Sequence, residues 1–278
     1  MIRRASADSS KPSGGVPDFD VSNLSLVFGS GSHRVVALDK VSLTIWPGQR
    51  VGIVGESGSG KSTLVRLMAG LMSPSAGVIE FQGRPITGLP ERKLGFLRSE
   101  VAIVFQDPRS SLDPRMRVGD IITEPLRSPL VKTRPGVPTT AAGRAQRCAQ
   151  IMTQLGLDPA IADRYPHQFS GGQRQRIAIA RALAPRPQVL IADEATSALD
   201  VSVRATILNI IADRVSADGL TLLFVSHDLA VVRHVCDVVM VMRSGQIIET
   251  GPVEQIYNHP QHAYTKQLVA AIPRIRFD

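Results

Sequence analysis

A chain of 278 residues, 43% hydrophobic and carrying a net charge of +8, can bury one large core or one core with a smaller subdomain. No apolar run is long enough to cross a bilayer, and no apolar stretch follows the basic start Met1-Ile-Arg-Arg, so neither a membrane-spanning chain nor a secretory signal is expected. The two cysteines, Cys148 and Cys236, form no C-x-x-C pair, which argues against a disulfide framework or a zinc site and suits a reducing cytoplasm.

In chain order, residues 1–17 are rich in Ser, Gly and Pro and are expected to be a disordered leader. Residues 18–52 alternate apolar and polar positions and close on a Pro47-Gly48 turn, with Trp46 beside it as a packing residue. Arg50-Val-Gly-Ile-Val-Gly55 predicts a buried strand, and Ser62 to Gly70 predicts a helix. Between them lies Gly55-Glu56-Ser57-Gly58-Ser59-Gly60-Lys61-Ser62-Thr63, which fits G-x-x-x-x-G-K-[ST]. Its glycines let the backbone curl and aim N–H groups at an anion. Lys61 supplies a cation for the β and γ phosphates, and the Ser62 hydroxyl can ligate Mg²⁺. With strand, lysine, hydroxyl and helix all in place, the loop implies binding of a nucleoside triphosphate, with the helix dipole on its phosphates.

Beyond the loop, Val78-Ile-Glu-Phe-Gln82 predicts a further strand of the same sheet. From Pro90 to about Ala180 the composition shifts to helix formers, broken by Arg134-Pro-Gly-Val-Pro138, a helical insertion with a surface loop. Parallel-strand patterns return at Val189–Ala192, Thr221–Val225 and Val238–Met242. A last helical piece is expected over 253–272, followed by a tail at 273–278. No internal repeat is visible, so the chain is expected to hold one nucleotide-binding unit. The basic residues are spread along the chain without an aromatic–basic motif, which points to an acidic membrane surface ahead of nucleic acid.

Further elements follow the loop in a fixed order. Gln106 lies in Val-Phe-Gln-Asp after a strand-like run, and Phe169-Ser170-Gly171-Gly172-Gln173 opens the helix Arg174–Leu183. Asp193-Glu194 closes an apolar strand and leads into Ser197-Ala-Leu-Asp200, and His227 ends the strand at Thr221–Val225. In these residues the chain resembles the ATP-binding subunits of ABC transporters over about 18–272, and Ser-Gly-Gly-Gln separates that family from P-loop kinases and GTPases. The resemblance implies an α/β fold: a P-loop ATPase core, an antiparallel β subdomain and a helical signature subdomain at about 90–180.

It also implies a division of labour, since phosphoryl transfer is mostly positioning and charge neutralisation. Asp193, Ser62 and Gln106 would hold Mg²⁺. Glu194 would orient the attacking water, and His227 would contact the γ-phosphate. Ser170, Gly171, Gly172 and Gln173 would close on ATP held by the opposite subunit of a sandwich dimer, with Asp200 at its seam. Phe28 is the candidate adenine-stacking residue, with core packing as the alternative. The chain departs from the commonest family wording at Phe169, where leucine is usual, and at Ala195, where proline often follows the glutamate; neither removes a catalytic group.

Phe105–Gly119 and His259–Pro273 resemble the oligopeptide, dipeptide and nickel importer branch. That implies an ATPase at the cytoplasmic face of a membrane, partnered by two multi-span permease subunits, a second ATP-binding subunit and, indirectly, an extracytoplasmic solute-binding protein. Nucleic acid is not an expected partner. The insertion is expected to receive a cytoplasmic helix of the permease on residues 107–117, through Arg109, Arg115 and Arg117. His259 and His262 lack an apparent third ligand, so no metal is assigned there. The rival readings are a nickel or other small-solute importer ATPase, a soluble ABC-type ATPase acting on nucleic acid or ribosomes, and a non-hydrolysing regulatory partner.

Overall fold

The alternation at the N-terminal side becomes a strand with a phase shift built into it. Along β1 (Phe19–Phe28) the buried positions are Phe19 and Val21, then Leu24 and Leu26. A regular strand would bury every second residue throughout. The step from odd to even positions falls at Asn23, whose φ of 50° lies in the left-handed region, where the pairing register also shifts. This bulge keeps both apolar pairs on the core face.

The computed structural model describes residues 15–29, 33–107, 111–197 and 199–272. The chain divides into two units, Met1–Leu89 with Phe224–Asp278, and Pro90–Leu223. The expected leader lies outside the described residues as far as residue 14, as does the whole expected tail.

In the first unit, β1 sits between β2 (Val35–Ile45) and β4 (Ala76–Phe81), both antiparallel to it, and β5 (Arg84–Pro85) flanks β4. Phe19 stands opposite both Ile45 and Phe81, and the two phenylalanine rings meet at 5.1 Å between centroids. The strand before the glycine-rich loop, β3 (Arg50–Val54), belongs elsewhere: it pairs in parallel with β9 (Val238–Arg243). Residues 78–82 therefore do not share a sheet with it, contrary to expectation. The physical distinction is local: β3 is buried at four successive positions, as a strand covered on both faces is, whereas β1 and β2 alternate.

A strand not foreseen, β10 (Gln246–Pro252), pairs antiparallel with β9. The turn between them is Ser244-Gly245, with φ of 47° and 79°. Two left-handed residues are what a two-residue hairpin requires, and the Ser-Gly dipeptide was the available signal. The expected single helix over 253–272 is two, Val253–Asn258 and Ala263–Ala270, separated at Pro260, which lacks the N–H a continuous helix needs.

In the second unit, β7 (Val189–Asp193) lies between β8 (Thr221–Ser226), which crosses the unit boundary, and β6 (Val101–Val104). Every residue of β7 and β8 is buried. The helices in chain order, after α1 (Lys61–Met68) of the first unit, are α2 (Gly95–Glu100), α3 (Val118–Thr123), α4 (Pro129–Lys132), α5 (Ala141–Gln154), α6 (Gly171–Leu183) and α7 (Val201–Asp218). α3 packs on both α5 and α6. Cys148 on α5 is buried, and burial pushes its thiol up to about 11, reinforced by the charge of Asp120. Burial likewise raises Cys236, so neither thiol is poised for reaction.

The segment at 134–138 is more than a surface loop. The Arg134 guanidinium donates to the carbonyls of Ser99 (2.6 Å), Pro185 (3.1 Å) and Arg186 (2.7 Å), and it pairs with Glu100 at 2.9 Å. Both side chains are under one-fifth exposed. Arg134→Ala would leave the Glu100 carboxylate and three carbonyls without this donor, so urea unfolding should show a loss of roughly 3 kcal/mol.

Among the described residues no helix is long and apolar enough to cross a membrane.

Candidate functional site

The glycine-rich loop folds as strand, loop and helix, from β3 into α1. Lys61 is 4% exposed, although a lysine is rarely buried without a function for its charge. Its ammonium donates to the carbonyls of Gly55 (2.7 Å) and Glu56 (2.8 Å) and reaches the Ser59 hydroxyl at 3.5 Å. The Gly245 N–H donates to the Ser59 carbonyl at 3.0 Å, which ties the loop to the β9–β10 turn.

Two glycines are dictated by their surroundings. A side chain at Gly55 would place its Cβ 2.2 Å from the Met242 carbonyl oxygen. Gly60, with φ of 102°, would collide with the Ala37 carbonyl at 2.6 Å. Gly60 is also the N-cap of α1, where it supplies no side-chain cap, and no acidic residue stands in the first turn. Glu56, Ser57 and Gly58 are exposed, and Ser62 and Thr63 are half-buried. An N-terminal helix turn beside an enclosed ammonium suits a polyanion.

Phe28 ends β1 and is 44% exposed, which takes it out of the core. Opposite it on β2 stands Val35, itself 60% exposed, so the pair forms an apolar platform at the rim of the sheet. His227 lies directly after β8 and is exposed. Its neighbours hold it in a tight link: the Ser226 hydroxyl accepts from the Asp228 N–H at 3.0 Å, and Asp228 caps α8 (Leu229–Val235) through the Ala230 N–H at 2.9 Å.

In the second unit, Asp193 is the last residue of β7 and is 4% exposed. Glu194 follows with φ of 49°, uncommon for any residue with a side chain. Such strain, on the order of 1–3 kcal/mol, persists only where the surroundings enforce it. Here the Glu194 carbonyl accepts from the Ser197 N–H at 3.1 Å and its hydroxyl at 3.0 Å. The turn thus takes the chain off the course of the strand at Glu194, which is half-buried where Asp193 before it is buried. Gln106 is exposed in the bend after β6.

Ser170 caps α6 in a reciprocal box. Its hydroxyl accepts from the Gln173 N–H at 3.3 Å, and the Gln173 side chain accepts from the Ser170 N–H at 3.0 Å. The two glycines that follow differ. A Cβ at Gly172 would lie 2.5 Å from Val203 on α7, so close packing within this chain demands that glycine. A Cβ at Gly171 meets nothing within 4 Å, and no left-handed φ is present there. Val203 stands three residues after Asp200, the exposed N-cap residue of α7, so the fold brings Ser170-Gly171-Gly172 and Asp200 into one neighbourhood. Val201 beside Asp200 is 81% exposed.

Of the segment 107–117, residues 108–110, and so Arg109, lie outside the described residues. The Arg115 side chain is exposed, while Arg117 pairs with Asp163 at 2.9 Å within its own unit.

A family model described as ABC transporter matches residues 38–197. The glutathione import ATP-binding protein GsiA of Escherichia coli (strain K12) is 49% identical over 242 residues, which is 87% of this chain and 38% of that protein. The protein of the same name from Shigella boydii serotype 4 is 48% identical over the same length. The chain therefore spans about two-fifths of the length of these relatives. Among solved structures, a dimeric post-hydrolysis state of the ATP-binding cassette MJ0796, bound to ADP and Pi, is similar with a TM-score of 0.76 and 29% identity, over 84% of this chain and 98% of that one. The structure of cbiO1 from Clostridium perfringens, part of the ABC transporter complex cbiONQ, matches with a TM-score of 0.74 and 27% identity, over 93% and 97%.

Proposed function

This chain belongs to the ABC transporter family, and we propose that it is the ATP-hydrolysing subunit of a binding-protein-dependent importer for a cargo of the peptide class. The observation that carries the ATP site is the enclosed Lys61 ammonium at the uncapped start of α1. The cargo class is supported by 105–119 and 259–273, and by the likeness to glutathione import ATP-binding proteins, glutathione being chemically a peptide.

Lys61 neutralises the β and γ phosphates, which the backbone N–H groups of 58–63 cradle, and Phe28 with Val35 offers a face for the adenine. The residues that the family resemblance assigns to Mg²⁺ would offer it the Ser62 hydroxyl from the first unit and the Gln106 amide oxygen and Asp193 carboxylate from the second, each a hard oxygen of the kind that ion prefers. Bound there, Mg²⁺ would neutralise charge on the phosphates. Glu194 would orient the attacking water and accept its proton, and His227 would contact the γ-phosphate. Ser170 and Gly171, with Asp200, face the nucleotide of a second ATP-binding subunit. The dimeric cassette MJ0796 supports a pairing of this kind. Two permease subunits, and indirectly a solute-binding protein, complete the importer, with this chain peripheral at the cytoplasmic face of the membrane. The exposed rim of the helical insertion, including Arg115, is the proposed permease contact, and Arg117 contributes less because Asp163 already engages it.

The test is Lys61→Ala in a titration with a fluorescent ATP analogue and Mg²⁺. Losing one charge-assisted contact should weaken binding by at least about tenfold. Unchanged affinity would remove Lys61, and the site built on it, from nucleotide binding.

A further inference from the structure

The carboxyl-terminal arm reaches the phosphate loop through the Tyr264 side chain. The Tyr264 hydroxyl, on the helix Ala263–Ala270, accepts from the Glu56 N–H at 3.0 Å, across 208 residues of sequence. Tyr264 is 2% exposed, and the Arg243 guanidinium lies over its ring, 4.8 Å from the centroid. Two further contacts fix where this tyrosine stands. The Glu249 carboxylate on β10 accepts from the N–H groups of Gln261 (2.7 Å) and His262 (3.0 Å), and the His262 ring nitrogen Nδ1 accepts from the Tyr264 N–H at 3.1 Å. His262 thus serves as a helix cap at the joint of the arm.

The Glu56 N–H and the Gly55 carbonyl belong to one planar peptide unit, which turns only as a whole. The carbonyl end of that plane receives the Lys61 ammonium at 2.7 Å, and the N–H end is received by Tyr264. Hydrogen bonds at both ends polarise the plane and strengthen each other. We propose that Tyr264 is a positioning residue of the ATP site: it orients the Gly55–Glu56 peptide and through it the resting place of the Lys61 ammonium. The arm formed by 259–270 is then a functional part of the phosphate loop, and a perturbation of the arm changes nucleotide affinity. This rests on the reading of the loop as an ATP site.

Tyr264→Phe removes only the hydroxyl and keeps the ring under Arg243. With a fluorescent ATP analogue and Mg²⁺ on the full chain, the dissociation constant should rise by about three- to tenfold, the range for one lost hydrogen bond. Amide hydrogen exchange at Glu56 should accelerate, while protection in β3 and β9 stays as in the wild type. Tyr257→Phe makes the same chemical change on the neighbouring helix Val253–Asn258, where the ring packs under Arg233, and should leave both readouts unchanged. A purely structural tyrosine would lower the melting temperature without moving affinity or Glu56 exchange, and that result overturns the proposal. So does affinity within about twofold of wild type while Lys61→Ala loses binding, a result that leaves the ATP site standing. A wild-type chain that fails to bind the analogue defeats the ATP-site reading itself, and this inference with it.

Discussion

Glu194→Gln should lower ATP turnover in the assembled complex by at least about 100-fold and leave ATP affinity within about twofold, because a positioned base contributes roughly 10²–10⁴-fold. The substitution is nearly isosteric. The contacts that hold the strained turn, from the Ser197 N–H and hydroxyl, go to the backbone carbonyl of Glu194 and survive it. Only the charge is lost. The phosphate loop is untouched, so an ATP-bound dimer should accumulate and appear as a larger species on size exclusion in the presence of ATP. Phosphate release within about twofold of wild type would rule out Glu194 as the base.

Gly171→Asp separates the interests of this chain from those of its partner. Within the chain nothing stands within 4 Å of the new Cβ, and the residue is the first of α6, where an acidic group favours the helix dipole by about 0.3–1 kcal/mol. Thermal stability and this chain's own ATP affinity should therefore be unchanged or slightly improved. Across a sandwich dimer, the carboxylate would face the partner's γ-phosphate. Like charges about 4 Å apart at an effective dielectric near 20 repel by about 4 kcal/mol, roughly a thousandfold. In a complex with two distinguishable ATPase chains, hydrolysis should fall by about that factor while ATP still binds to the substituted chain. Loss of ATP binding by the substituted chain itself would place Gly171 in its own nucleotide site and contradict the sandwich. Gly172 cannot serve for this test, because any side chain there strikes Val203 and disturbs the packing of α6 on α7.

The sequence by itself determined those features whose chemistry is written in consecutive residues. Strand, glycine-rich loop and helix at 50–68 were legible because a phosphate cradle needs its glycines, lysine and hydroxyl at fixed short spacing. The apolar strands at 189–193 and 221–226 were legible because burial on both faces leaves an unbroken hydrophobic run. Even the hairpin at Ser244-Gly245, which was missed, carried a local signal.

Other features had none, and only the tertiary structure decided them. An unbroken apolar run sets β3 apart from the alternating strands, but no pattern names a strand's partner, so periodicity could not tell that β4 pairs with β1 while β3 pairs with β9. A glycine pair reads the same whichever member packs, and it took Val203 to show that Gly172 serves this chain's own packing while Gly171 faces open space. Phe28 could as well have been core, until its position at the rim of the sheet exposed it. Arg134 reads as a loop residue, yet it gathers carbonyls from two distant segments, at Ser99 in α2 and at Pro185 and Arg186. The Tyr264 hydroxyl and the Glu56 N–H are ordinary groups 208 residues apart, and they become one contact only because Glu249 pins the arm and Arg243 holds the ring. Local propensity acts over a few residues, whereas a hydrogen bond between distant segments exists only after the packing of everything between them has placed donor and acceptor about 3 Å apart.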